Sequence, residues 1–285
     1  MSAYENYDSR SATYSGHRNP LGWKRQLAHF QQNSAVPLRE QRLLDAGCGT
    51  GNYIVHYAQH FKVIHGGDFS NGMLDCAAEN LENAEKSGES FIADVTFSQV
   101  DVTDMTDVPN STYHALCNNQ VLHHLPQEGG DFASIKKMIG EFYRVMAPGG
   151  RGVINYSQPQ QIPVSMWWAE LIPDAVERWL PRTVDIDTLT DILHGAGFTQ
   201  VTAEPQLDEI LYNHQLYFNP RSFLDIDNFR NCDSTFALCT DEELKRGVAK
   251  VQQLIDANQL DAWFEKKEAD RKSRGQTTNV YFVKP

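Results

Sequence analysis

Three acidic residues, a run of alternating glycines and a pair of histidines carry the chemistry legible in this 285-residue chain. The run is Asp45-Ala46-Gly47-Cys48-Gly49-Thr50-Gly51. Glycine at every second position lets a backbone turn sharply and come close to a ligand. A helix opening just behind it offers free N–H groups to a carboxylate or phosphate. That is the architecture of a nucleotide-type site, and the spacing separates two cofactor classes. A dinucleotide fingerprint needs G-x-G-x-x-G, whereas here the third glycine falls at 51 and is followed by Asn52, which argues against a nicotinamide-type oxidoreductase. Asp45 would repel a pyrophosphate and welcome a cationic amino-acid group. Asp68 ends a second apolar stretch, seventeen residues beyond Gly51 and close to the offset of about twenty expected for the next strand end. A carboxylate there can accept both hydroxyls of a ribose, each bond contributing about 1.5–3 kcal/mol when shielded. Asp101 closes a third such stretch, where it also suits a turn into a loop. His123 and His124 follow a fourth, and histidine, titrating near 6.5, can take a proton from a nucleophile at neutral pH.

The elements that must position these groups alternate strand and helix. Strands are expected from Leu43, over Phe61–Asp68, Val95–Val102, Tyr113–Gln120, Arg151–Tyr156, Thr199–Ala203 and Thr278–Val283. Helical spacing marks Leu21–Gln32, the stretch opened by Phe69–Leu74, and Phe132, Ile135, Ile139, Phe142 and Met146, the last ended by Pro148-Gly149-Gly150. The β-α alternation predicts a doubly wound α/β fold with a seven-stranded sheet, and ligands at the strand carboxyl ends.

The glycine run closely resembles the first motif of class I S-adenosylmethionine-dependent methyltransferases, acidic-x-Gly-x-Gly-x-Gly, position for position. Asp68-Phe69-Ser70-Asn71-Gly72-Met73-Leu74 is similar to the run that follows their second strand, and Arg144-Val145-Met146-Ala147-Pro148-Gly149-Gly150 resembles their turn before the fifth. The resemblance covers about residues 42–201 and implies a Rossmann-like methyltransferase fold with S-adenosylmethionine as cofactor. It implies a cofactor set of Asp45, Gly47, Cys48, Gly49, Gly51, Asp68, Phe69, Met73, Asp101, Val102, Asn118 and Asn119, with Phe69 and Met73 on the adenine side. Asp101 would meet the adenine amino group, with Val102 as its apolar neighbour. His123 falls where plant-type O-methyltransferases place a base and His124 where others have a packed histidine, so both are catalytic candidates. Asn118-Asn119-Gln120-Val121 departs from the Asn/Asp-Pro-Pro-aromatic box of adenine and glutamine N-methyltransferases. The implied activity is methyl transfer to an O, N or S nucleophile of a small molecule. The alternative is a catalytically silent S-adenosylmethionine-binding protein or regulator.

Composition narrows the partners. With 41 % hydrophobic and 22 % charged residues the chain is ordinary globular material, and a net charge of −12 repels phosphate backbones, so nucleic acid is not an expected substrate. No apolar run suits a membrane. Five cysteines without a C-x-x-C motif suggest a reduced cytoplasmic setting and no metal centre. A monomer or homodimer is expected.

Outside the core, the tyrosine-rich leader with Tyr7 and Tyr14 resembles segments that fold over the cofactor. Trp167, in a stretch rich in tryptophan and proline, is a candidate pocket wall. About seventy residues then separate the sixth strand from the seventh. Structureless loops of that length are rare in compact domains, and Thr240 with Glu243 forms a capping box before Leu244, Val248, Val251 and Ile255. A helical insertion is therefore expected before the last strand, with Arg221 and Arg230, and beside them Asp233 and Ser234, as candidate substrate anchors. The expected division is 1–35 lid and helix, 36–206 core, 207–275 cap and 276–285 last core strand.

Overall fold

The computed structural model describes residues 18–125 and 131–285; Tyr7 and Tyr14 lie outside the described residues. Strand β1 (Arg42–Ala46) is an interior strand of the sheet, with Leu43, Leu44 and Ala46 buried from both faces. It pairs in parallel with β2 (Val63–Asp68) on one side and β4 (Tyr113–Asn119) on the other. With β3 (Asp94–Gln99), β5 (Met146–Tyr156), β6 (Thr199–Pro205) and β7 (Thr278–Val283), the order is β3-β2-β1-β4-β5-β7-β6. Only β7 runs antiparallel to its neighbours. The seven-stranded doubly wound fold expected from the sequence is the one observed. Chain order reverses between β1 and β4, where an open α/β sheet leaves a crevice at its carboxyl ends.

Each face of the sheet is sealed by its own apolar cluster. One holds Phe30 from helix α1 (Trp23–Gln31) and Tyr57 from α2 (Asn52–Tyr57), with Phe61 packed edge-on to both. The other holds Ile135, Met138 and Phe142 of α4 (Ala133–Val145) with Phe198 and Phe282. Between these helices in chain order lies α3 (Asn71–Lys86). Two boundaries differ from expectation. β3 ends at Gln99, because the chain turns at Asp101, whose carboxylate accepts from the Thr103 amide and hydroxyl. α4 stops at Val145 and Met146 already pairs with Tyr113, so Pro148-Gly149-Gly150 forms an irregularity inside β5.

The insertion is helical and contains the expected capping box. α5 (Asp241–Asp256) starts at Thr240, whose hydroxyl accepts from the Glu243 amide while Glu243 accepts from the Thr240 amide. α6 (Leu260–Arg274) leads into β7. A third apolar cluster gathers Trp167, Trp168 and Trp179 from the segment after β5 with Tyr212, Phe223, Phe229, Phe236 and Val251. The tryptophan-rich stretch and the insertion thus share one core. Arg271, 3 % exposed, binds Glu268 and ties α6 to the segment after β6 by donating to the carbonyls of Leu207 and Glu209. No helix among the described residues is long and apolar enough to cross a membrane.

Removing one partner of a buried ion pair leaves the other charge uncompensated, which costs about 3–5 kcal/mol. Arg271→Met should therefore lower the unfolding free energy by about 3 kcal/mol in urea titration, whereas Arg221→Met, at an exposed pair with Asp261, should change it by less than about 1 kcal/mol.

Candidate functional site

The glycine turn rests on β2. The amides of Gly47 and Cys48 both donate to the Gly67 carbonyl, at 2.7 and 3.0 Å. Gly47 adopts φ 83°, and a Cβ there would lie 2.4 Å from Val121 Cγ2. The loop that carries His123 and His124 thus begins against the glycine turn. Gly49, at φ 53°, differs: a Cβ there would meet nothing within 4 Å, so this glycine borders open space. Asp68 holds the turn from the side, with Oδ2 accepting from the Gly49 amide at 2.9 Å and Oδ1 from the Ser70 amide at 3.0 Å. Ser70 in turn caps α3 by accepting from the Met73 amide.

Asp45 is 1 % exposed. Neither carboxyl oxygen has a nitrogen or oxygen partner among the described residues, and the Cys117 thiol sits against the group. Burial, reinforced by the Asp68 charge and opposed by Cys117, raises its pKa to about 7. At the next strand end, Asn118 Nδ2 donates to the Ala46 carbonyl at 2.6 Å while its Oδ1 is buried without a partner among the described residues. Asn119 Oδ1 accepts from Gln26 Nε2 of α1 at 3.0 Å, and Gln26 Oε1 accepts from the Tyr57 hydroxyl at 2.7 Å. This buried chain runs from the first helix to the end of β4.

The remaining expected cofactor residues are placed unequally. Cys48 is 8 % exposed, Phe69 is 37 % exposed at the end of β2, and Met73 is buried in the first turn of α3. Asp101 lies at a turn, and Val102 packs into the core with Val100 and Met105.

His123 and His124 occupy one turn after β4, their ring centroids 4.0 Å apart, with Trp179 5.7 Å from His123. Burial lowers the His123 pKa to about 4, with Asp233 opposing and the Arg18 and Arg182 guanidiniums reinforcing the shift. His124 is pushed well below its ordinary value, first by burial and then by His123 and the same arginines. Both rings are therefore neutral at physiological pH.

The expected substrate anchors are not brought together here. Trp167 is buried in the apolar cluster shared with the insertion and donates from Nε1 to the Tyr217 carbonyl. Arg221 lies on the exposed outside of the cap beside Asp261. Arg230 is half-buried on the turn before Asp233. In their place stands a cluster that joins two residues the sequence offered only separately, Arg18 of the leader and the candidate anchor Asp233, to Tyr212. Arg18 pairs with Asp233 at 2.9 Å, the Tyr212 hydroxyl donates to the same carboxylate oxygen at 2.6 Å, and the Thr235 amide donates to the other at 2.7 Å.

Sheet, glycine turn and acidic strand ends define an α/β protein built to hold a nucleoside-type cofactor bearing a cationic amino-acid end. A family model described as a methyltransferase domain matches residues 44–154. Phosphoethanolamine N-methyltransferase 3 of Arabidopsis thaliana is 26 % identical over 176 residues, 60 % of this chain and 31 % of that protein. The chain thus spans about a third of the length of this plant relative. Demethylmenaquinone methyltransferase of Bacteroides fragilis is 23 % identical over 206 residues, 65 % of this chain and 78 % of that protein. Among solved structures, phosphoethanolamine N-methyltransferase 2 of Haemonchus contortus in complex with S-adenosyl-L-methionine shares the fold with a TM-score of 0.56 at 19 % identity, covering 98 % of this chain and 57 % of that one. The chain is thus similar to methyltransferase domains over residues 44–154 and shares the fold of a structure that carries S-adenosyl-L-methionine. Its residues fit that group: a buried carboxylate without an oxygen or nitrogen partner suits a cationic ammonium, and the open side of Gly49 admits a ligand against the backbone.

Two glycine substitutions should separate folding from binding. Gly47→Ala, strained and in collision with Val121, should lower the melting temperature by several degrees. Gly49→Ala should fold with only the left-handed backbone penalty of about 1–2 kcal/mol but bind S-adenosylhomocysteine at least about tenfold more weakly by calorimetry. The Asp45 proton sets a pH dependence. Its folded pKa lies above its unfolded value near 3.8, so this group weakens the ligand-free protein as pH rises from about 4 to 7. A cationic ligand favours the ionised carboxylate. The Kd for S-adenosylhomocysteine should therefore fall by up to about tenfold per unit from pH 5.5 to 7 and level off above, and Asp45→Asn should abolish this trend.

Proposed function

We propose that this protein is a methyltransferase that moves the methyl group of S-adenosylmethionine to an oxygen, nitrogen or sulfur nucleophile of a small molecule by in-line displacement. The observation that carries the reading is the buried carboxylate of Asp45 behind an open glycine turn, with a pair of neutral histidines on the loop that touches that turn at Val121. When bound, the cofactor supplies a methyl group activated by the sulfonium.

The chain's own residues have separate tasks. Asp45 receives the ammonium end, and Asp68, whose oxygens each keep a second lone pair beyond the Gly49 and Ser70 amides, accepts ribose hydroxyls. The cap excludes water from the acceptor side, and alignment of nucleophile and methyl supplies most of the rate, up to about 7–11 kcal/mol. His123, neutral and half-turned toward Trp179, accepts the proton of a protonated nucleophile. The acceptor is a small molecule rather than a nucleic acid, as the net charge of −12 favours. Five unpaired thiols suit a reducing cytoplasm, and the separate apolar cluster supports a cap over 207–275 on a core of 36–206. The protein acts as a monomer or homodimer.

Incubation with methyl-labelled S-adenosylmethionine and a panel of amines, including phosphoethanolamine, phenols and demethylated quinones, thiols and small acids tests the proposal. Label should appear in one acceptor class, whereas tight cofactor binding without any product would favour a silent binding protein. With that acceptor, His123→Ala should lower kcat by about 10²-fold or more, and His124→Ala by less. Because the His123 ring stays neutral down to about pH 4, kcat at saturating cofactor should be flat from pH 5.5 to 8 rather than falling below 6.5.

A further inference from the structure

Residues 18–22 cross from the cofactor turn to the cap. On the cofactor side, Asn52 Nδ2, in the first residue of α2, donates to the Arg18 carbonyl at 3.4 Å, and the Tyr53 hydroxyl donates to the Leu21 carbonyl at 3.0 Å. On the cap side, Arg18 bridges Tyr212, the Asn19 amide donates to the Leu211 carbonyl, and Asn19 Nδ2 donates to the carbonyls of Ile210 and Tyr212. The Gly22 amide donates to Glu209. The Arg18 side chain extends from this strap to Asp233 over the face of Tyr212, its guanidinium carbon 4.7 Å from the ring centroid. Both members of the pair are nearly buried, with side-chain exposures of 11 % and 7 %. The Asp233 and Arg18 charges bear on His123 in opposite directions, the first raising and the second lowering its pKa.

A buried ion pair is strong only while both partners are in place, since removing one leaves a charge in a poorly solvated site. We infer that the Arg18–Asp233 pair is a latch: it couples the seating of the cap to the strap across the cleft and so sets how fast a bound cofactor leaves. Asp233 and Arg18 are positioning residues in this scheme, acting through the strap rather than on the methyl group. Asp233 is already engaged within the protein on both carboxylate oxygens. Its Oδ2 already accepts from Arg18 and Tyr212, and its Oδ1 accepts from Thr235. The inference rests on the cofactor reading given above.

The test is the dissociation rate of S-adenosylhomocysteine from the full chain, followed by stopped-flow displacement, with Kd from calorimetry, for wild type, Arg18→Met, Asp233→Asn and the double variant. Each single substitution should raise the dissociation rate at least about tenfold, and the double variant should be no faster than the faster single one, because both remove the same interaction. Arg18→Lys, which keeps the charge, should recover part of the loss. Dissociation rates unchanged from wild type, or effects that multiply in the double variant, would overturn the latch. If Asp233→Asn does not fold, Arg18→Met and Arg18→Lys decide alone by the same criterion. Failure of the wild type to bind S-adenosylhomocysteine would overturn the cofactor reading and the latch together, whereas binding with latch-independent rates would remove the latch only.

Discussion

A carboxylate buried at the end of an interior strand is the constraint around which this structure is arranged. Asp45 is 1 % exposed, and an isolated buried charge is so costly that the group takes up a proton instead. Its position follows from the sheet: β1 is an interior strand flanked by β2 and β4, so its last residues are covered on both sides and open only toward the crevice. The glycine turn that follows must then bend away without side chains. At Gly47 the requirement comes from Val121, and at Gly49 from the left-handed backbone at φ 53° alone. A group that holds its proton near neutrality and releases it to a cation is well matched to a cofactor with an ammonium end.

The same crevice is braced from below by amides rather than by charges. Gln26 donates to the Leu21 carbonyl, to Asn119 Oδ1 and to Asn279 Oδ1, while Asn155 donates to Asn279 and Thr277. Bonds in such a network polarise one another, and Asn119 Nδ2 stays buried without a partner among the described residues. Here it links α1, β4, β5 and β7, which lie far apart in sequence. The first helix is thereby held in register with the strand that ends at the histidine loop.

The cap solves a different problem. Three tryptophans after β5 are too apolar to remain on the surface of the core, and the insertion supplies Phe223, Phe229, Phe236 and Val251 to bury them. Burying such aromatic side chains is worth roughly 1.5–3 kcal/mol each, enough to seat the cap without a covalent link. Charge then sets its edges: Arg271 at the junction with β7, and Arg18 with Asp233 where the strap from the N-terminal side arrives.

Much of the core was legible in one dimension because its signals are local. A glycine turn needs glycines at fixed positions, a strand end needs an acid after an apolar run, and the Thr240–Glu243 box declares a helix start within four residues. The seven strands, their order of appearance and the helical insertion follow from such patterns. The lengths of β3 and α4 did not, since each was cut by a turn or a pairing with a distant residue. The acceptor side was hardly legible at all. Trp167, Arg221 and Arg230 have suitable chemistry, but side-chain type does not say which way a cap helix faces, and packing turned Trp167 inward and Arg221 outward. Arg18, Tyr212 and Asp233 meet across more than two hundred residues of chain, with no periodicity to announce them. Sequence alone determined the cofactor fold, because that is written in short-range backbone requirements. Only tertiary structure decided which charges converge on the cleft, because long-range packing selects among many surface residues of equal chemical promise.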